Sequence, residues 1–278
     1  MRHCTARIER SAGCSTILVM AIALGLWAPS GEARTWYVRA DGTGDAPTIQ
    51  AGIDSAAGGD TVLLGPGEYF TYETIVLKSG VSLVGELGPS ETIITVKPGL
   101  SGPPVVGISM QSRSRIDGLW IGGFCTFANV NAYNLTTIRN CVILESTCSV
   151  YMGQASIEIV SCLLRTIECR DAGGIVLQNI ILETVYLSGS VPFFECNDIV
   201  WKIPPFIAEN PSNFSLDPQF CGIQGTRNYF LQEDSPCAPG NHPNPFLGCG
   251  LLGPFPVGCG TVKAESKTWG AIKGLYRE

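Results

Sequence analysis

Between Asp60 and about Phe206 the chain repeats itself at an interval of about twenty residues, and that repeat restricts its folding more than any other feature. The segments Arg115–Ile121, Thr137–Ile143, Glu158–Leu164 and Ile175–Ile181 superpose. Ile116, Ile138, Ile159 and Val176 then form one column, at steps of 22, 21 and 17 residues. A fifth copy lies around Phe193–Val200. Each copy holds short apolar runs rich in Val, Ile and Thr, separated by Gly, Asn, Ser and Pro, as are the earlier runs Thr61–Leu64, Val81–Val84 and Thr92–Val96. Such runs read as short strands. A unit this small cannot bury its own apolar face and must stack on its neighbours, which predicts an all-β parallel solenoid of about seven coils. An antiparallel sandwich would show longer strands with clear in/out alternation.

The cysteines follow the same interval. Cys141 to Cys162 and Cys148 to Cys169 are both 21 residues. Adjacent rungs lie about 4.8 Å apart, which a disulfide tolerates. The spacing therefore predicts bridges Cys141–Cys162 and Cys148–Cys169, or else a stack of buried thiols. Asp117, Asn140, Ser161, Asn179 and Asn197 form a polar column near the turns, where asparagines can bond one another and the backbone.

The ends differ from the middle. Three arginines (Arg2, Arg7, Arg10), an apolar run Ile17–Ala28 and small residues at Gly31 and Ala33 have the layout of a signal peptide cleaved after Ala33. The run is short for a membrane span, and no later segment is long enough for one. Residues 1–33 carry three basic and two acidic side chains, so the remainder has a net charge of −7 against −6 for the whole chain. That balance gives no basic footprint for nucleic acid. Ten cysteines remain, an even number that fits an oxidising, exported setting. Ala46–Ala57 is an amphipathic helix candidate placed to cap the first coil. Residues 207–260, rich in Pro, Gly and Asn, read as an irregular cap pinned by Cys221, Cys237, Cys249 and Cys259, for which three pairings are open.

Trp36–Asp45, Thr48–Asp54 and Gly59–Tyr69 together resemble the entry of right-handed parallel β-helix proteins of the pectin lyase-like superfamily. Leu216–Cys221, Asn228–Leu231 and Asp234–Pro239 resemble the closing coil of its secreted bacterial members. The resemblance covers residues 35–260 and implies a right-handed coil, export to the cell surface or its surroundings, and a carbohydrate partner. It does not choose a reaction, because the superfamily includes lyases, hydrolases and adhesins. Residues 261–278, with Lys263, Lys267, Trp269, Lys273 and Arg277, resemble the sorting or attachment tails of some secreted bacterial proteins, and also fit a loose amphipathic terminus.

Lyases of this type hold calcium with clustered carboxylates and use an arginine or lysine as base; hydrolases use close aspartates. The candidates here are Arg139, Glu158, Glu168, Arg170 and Asp171, with Asp117 in register beside Arg139. Arg139 or Arg170 would be the base, and calcium would be needed only in that case. No pair of aspartates stands on adjacent rungs, and the only histidine after residue 33, His242, has no visible partner in the sequence. The expectation is a monomeric, exported, non-catalytic module that binds a polysaccharide or a surface component, with no metal site, and with an acidic-glycan lyase as the alternative.

Overall fold

In the computed structural model the described residues are 32–97, 107–123, 126–129, 136–144, 149–153, 156–222 and 227–259. The chain divides into two compact units, Met1–Ala33 and Arg34–Glu278, and the solenoid belongs to the second. The expected signal segment, apart from its last two residues, and the tail 261–278 lie outside the described residues.

Strand β1 (Thr35–Val38) and helix α1 (Ile49–Ser55) open the fold. Strands then follow in triplets, one for each side of a coil. The first is β2 (Thr61–Leu64), β3 (Gly67–Thr71) and β4 (Ile75–Leu77); the second is β5 (Ser82–Gly85), β6 (Thr92–Val96) and β7 (Ile108–Met110). Next come β8 (Arg115–Asp117), β9 (Trp120–Gly123) and β10 (Thr126–Asn129), then β11 (Thr136–Arg139), β12 (Val142–Ile143) and β13 (Ser149–Gly153). Later coils fuse their second and third strands: β14 (Ser156–Val160) with β15 (Leu163–Arg170), and β16 (Gly173–Leu177) with β17 (Ile180–Ser188). Strands β18 (Phe193–Glu195) and β19 (Asp198–Ile199) end the stack, and helix α2 (Pro205–Ala208) follows.

All named pairings are parallel. Face one is the eight-stranded sheet β1-β2-β5-β8-β11-β14-β16-β18. Faces two and three share one larger sheet: β3-β6-β9-β12 joins the start of β15, and β4-β7-β10-β13 joins its end. The result is the expected parallel β-solenoid. It has about five turns rather than seven.

The core is a set of stacked columns. On face one Val62, Leu83, Ile116, Ile138, Ile159, Val176 and Phe194 lie in register and are buried. On face two Ile94, Ile121, Ile143, Leu164, Ile181 and Ile199 do the same. Each such side chain contributes about 1.5–3 kcal/mol of burial. One left-handed residue per rung turns the chain from face one to face two: Gly118, Asn140, Ser161, Gln178 and Cys196, with φ of 51–67°. Asn and Gly tolerate this region best.

The residue after each corner points inward, giving the column Leu119, Cys141, Cys162, Asn179, Asn197. The asparagines continue to Asn213. The Asn179 amide donates to Asn197 Oδ1 at 3.0 Å, and that of Asn197 to Asn213 Oδ1 at 2.9 Å. The polar column expected from sequence thus mixes three registers. Asn140 and Ser161 are corner residues, and Asn140 caps Asp117 at 2.9 Å. Asp117 stands one place after the inward residue of its rung, Asn140 and Ser161 two places, and Asn179 and Asn197 three.

The expected Cys141–Cys162 bridge is not made; both are buried thiols. In-register parallel strands aim these side chains the same way, and each sulfur turns to a backbone carbonyl, Cys141 to Arg139 at 3.1 Å and Cys162 to Val160 at 3.3 Å. Proximity alone does not provide the dihedral a disulfide needs. Cys148 lies outside the described residues, and with it the expected Cys148–Cys169 bridge; Cys169 is buried.

The front cap is α1, docked by Ile49, Gly52 and Ile53. Thr48 Oγ1 accepts from the Ala51 N–H at 3.1 Å. The side-chain amide of Gln50 accepts from Val76 N at 2.9 Å and donates to Val76 O at 3.3 Å, closing the free edge of β4 as another strand would. At the far end the irregular segment does more than cover the last coil. Leu231, Cys237, Leu252 and Phe255 bury against Trp120, Val142, Leu163 and Ile180, so it runs back along the outside of face two. Two disulfides fasten it: Cys196–Cys249, from the last corner, and Cys221–Cys259. Cys237, expected in a bridge, is a buried thiol.

Candidate functional site

The structure divides the six charged candidates between faces. Asp117, Arg139 and Glu158 share the outer side of face one, Arg139 in register with Asp117 and Glu158 with Thr137. Arg115 and Asp117 form an ion pair, and Arg139 Nε lies 3.9 Å from Asp117 Oδ2. Glu158 Oε2 accepts from Thr137 Oγ1 at 3.2 Å. Val160, Ile175, Leu177 and the exposed Phe193 continue this face toward the last coil.

Glu168 and Arg170 stand on face three, two residues apart on β15, and pair with each other at 2.5 Å. Tyr186 lies opposite Glu168 and Ser188 opposite Arg170 on the next rung. Together they line a depression of about 490 Å³, with Tyr186 61% exposed. Asp171 is a turn residue at φ 51° whose carboxylate accepts from Ser190 N at 3.3 Å. Arg139 and Glu158 therefore do not share a cleft with Glu168, Arg170 and Asp171.

A second recess, of about 480 Å³, lies at the entry end between residues 39–50 and 68–75. Its signal in the sequence is the alternation of Glu68, Phe70 and Tyr72, the pattern of an outward strand face, which no charged motif marks.

Two buried polar groups lie where the irregular C-terminal segment, the strap over face two, meets the last coil: Asp198 on β19 and His242 on the strap. Asp198 accepts from Leu216 N at 3.0 Å and from the Cys237 thiol at 3.3 Å. Burial pushes its carboxyl up to about 7, and burial together with Asp198 also raises the Cys237 thiol. His242 is held by Ser212 O at 3.0 Å and by the backbone of Asn244, edge-on to Phe214. Its role here is to pin the strap to the loop that carries Asn213. Among the described residues no group of three or more His, Cys, Asp or Glu is arranged to hold a metal ion.

No family model, curated protein or solved structure matches the chain.

Proposed function

We propose that this chain is an exported, monomeric, carbohydrate-binding solenoid of the pectin lyase-like type that acts at or near the cell surface without catalysis. The observation that carries the reading is the division of the charged candidates. Arg139 with Asp117, and Arg170 with Glu168, sit on different faces, each in an ion pair. Tyr186 and Phe193 meanwhile stand more than half exposed on rigid stacked strands, as ligand-binding rings do. Two disulfides support export. Among the described residues no helix is long and apolar enough to cross a membrane.

The grouping of Asp117, Arg139 and Glu158 on face one favours the second reading, a lyase with Arg139 as base. Affinity electrophoresis of the purified chain through gels containing neutral and acidic polysaccharides tests the first. Retardation by a glycan supports it, and unchanged mobility across the panel contradicts it.

A further inference from the structure

Strand β3 pairs with β6 on one side only. The Gly67 N–H and the Thr71 carbonyl turn toward β6, so by parallel-ladder alternation the amides of Glu68 and Phe70 turn the other way. Their outward backbone groups have no partner among the described residues. The entry loop stands across from this edge, and the recess lies between them. Phe70 and Tyr72 line it while 52% and 60% exposed, a large apolar exposure for two neighbouring rings.

Phe70 is held in place without being covered. Lys97 Nζ sits 3.7 Å from the centre of the Phe70 ring. Thr95 Oγ1 donates to Glu68 Oε1 at 2.9 Å. Under the floor Tyr69 is buried, its hydroxyl 3.0 Å from Val38 O and 2.8 Å from Gly65 O. Gln50 is fixed to β4. Glu68 and Phe70 are therefore preorganised on a strand and Gln50 on a helix, with Tyr72 one residue beyond the end of β3.

Around the rings stand polar groups of both signs. Among the described residues Arg39 and Glu73 have no ion-pair partner, unlike Glu168 and Arg170. The lining carries two carboxylates, Glu68 and Glu73, and one cation, Arg39, with Lys97 over the Phe70 ring, so the recess offers no excess of positive charge. A polyuronate gains nothing here and is repelled by the net charge of −6. A neutral pyranose chain fits all the groups: its axial C–H faces stack on rings, and its hydroxyls take carboxylates, the guanidinium and the open strand edge.

We infer that the recess formed by Arg39, Gln50, Glu68, Phe70, Tyr72 and Glu73 is a binding site for a neutral polysaccharide, distinct from the Glu168–Arg170–Tyr186 depression. The inference rests on the carbohydrate-binding reading and adds the site and the sugar class. The test is calorimetric titration of the purified chain with neutral gluco-, xylo- and manno-oligosaccharides. Wild type, Phe70→Ala, Tyr72→Ala and Phe246→Ala, an exposed ring of the C-terminal segment outside both depressions, are compared after circular dichroism confirms that each is folded. The expected result is binding of one neutral oligosaccharide, weakened about tenfold by either Phe70→Ala or Tyr72→Ala, since each ring contributes about 1.4 kcal/mol, and unchanged by Phe246→Ala. Binding that survives both entry-end substitutions overturns this site and leaves the carbohydrate reading standing. Binding of polyuronates alone overturns the neutral-sugar assignment. No binding of any saccharide overturns both.

Discussion

Replacing Asp198 with Asn changes the pH dependence of stability in a direction the structure determines. The carboxyl is fully buried with two donors, Leu216 N–H and the Cys237 thiol, and its pKa is raised from 3.8 to about 7. Because the folded value lies above the unfolded one, the folded chain holds a proton that the unfolded chain has lost between those two values. Stability from this group is intact below about pH 4, falls as pH rises to about 7, and is level above that. A shift of about three units at 1.36 kcal/mol each amounts to about 4 kcal/mol. Asn keeps the acceptor for Leu216 but places an amide N–H against Cys237, a pH-independent cost of about 1–3 kcal/mol. Urea unfolding of both proteins with disulfides intact, from about pH 4 to about pH 8, isolates the effect, since other titrating groups cancel in the difference. The variant should gain about 4 kcal/mol relative to wild type across that range. A difference that stays constant with pH would refute the argument.

Three further outcomes follow from the same structure. Asn179→Ala removes the acceptor for Cys162 N–H at 2.8 Å and the donors to Ile159 O and Leu177 O, all buried or nearly so. Equilibrium unfolding should show a loss of about 3–5 kcal/mol, two or three unsatisfied groups at about 1–3 kcal/mol each, whereas Asn140→Ala, which loses one bond to Asp117 and puts Ala at a left-handed corner, should cost about 1.5–3 kcal/mol. Cys249→Ser opens a link spanning 53 residues; loop entropy sets the loss at about 4 kcal/mol, and limited proteolysis should then cut first between residues 237 and 259. Cys141, Cys162 and Cys237 should resist alkylation in the folded chain and react in urea, as peptide mapping by mass spectrometry will show, because burial raises the Cys141 and Cys237 thiols and removes their thiolate.

The solenoid was legible in sequence because its core is one-dimensional. Ile116, Ile138 and Ile159 recur at the coil length, and the register of β8, β11 and β14 reproduces their alignment. The polar column misled because it joined residues at different distances from the apolar column. Asn140 and Ser161 stand two places after Ile138 and Ile159, whereas Asn179 stands three places after Val176, in the column of Cys141 and Cys162. Spacing placed those two cysteines side by side but carried no information about the direction of their side chains. The strap was hidden because Trp120, Val142 and Leu163 occupy outward positions, and apolar residues there do not name their cover. Cys249 reaches 53 residues back to Cys196, a contact no local pattern encodes. Among the site candidates, register brought Asp117 and Arg139 together correctly, but could not tell that Glu168 and Arg170 lie around a corner on another face.

The central claim is that this solenoid holds a glycan and does not cleave it. The most direct measurement incubates the purified chain with the polysaccharide that retards it in gels, with and without calcium. Ultraviolet absorbance of unsaturated sugar and the count of new reducing ends are followed together. The account predicts that both stay flat while the glycan remains bound. A calcium-dependent rise in absorbance, abolished by Arg139→Ala, would contradict it and establish the lyase reading.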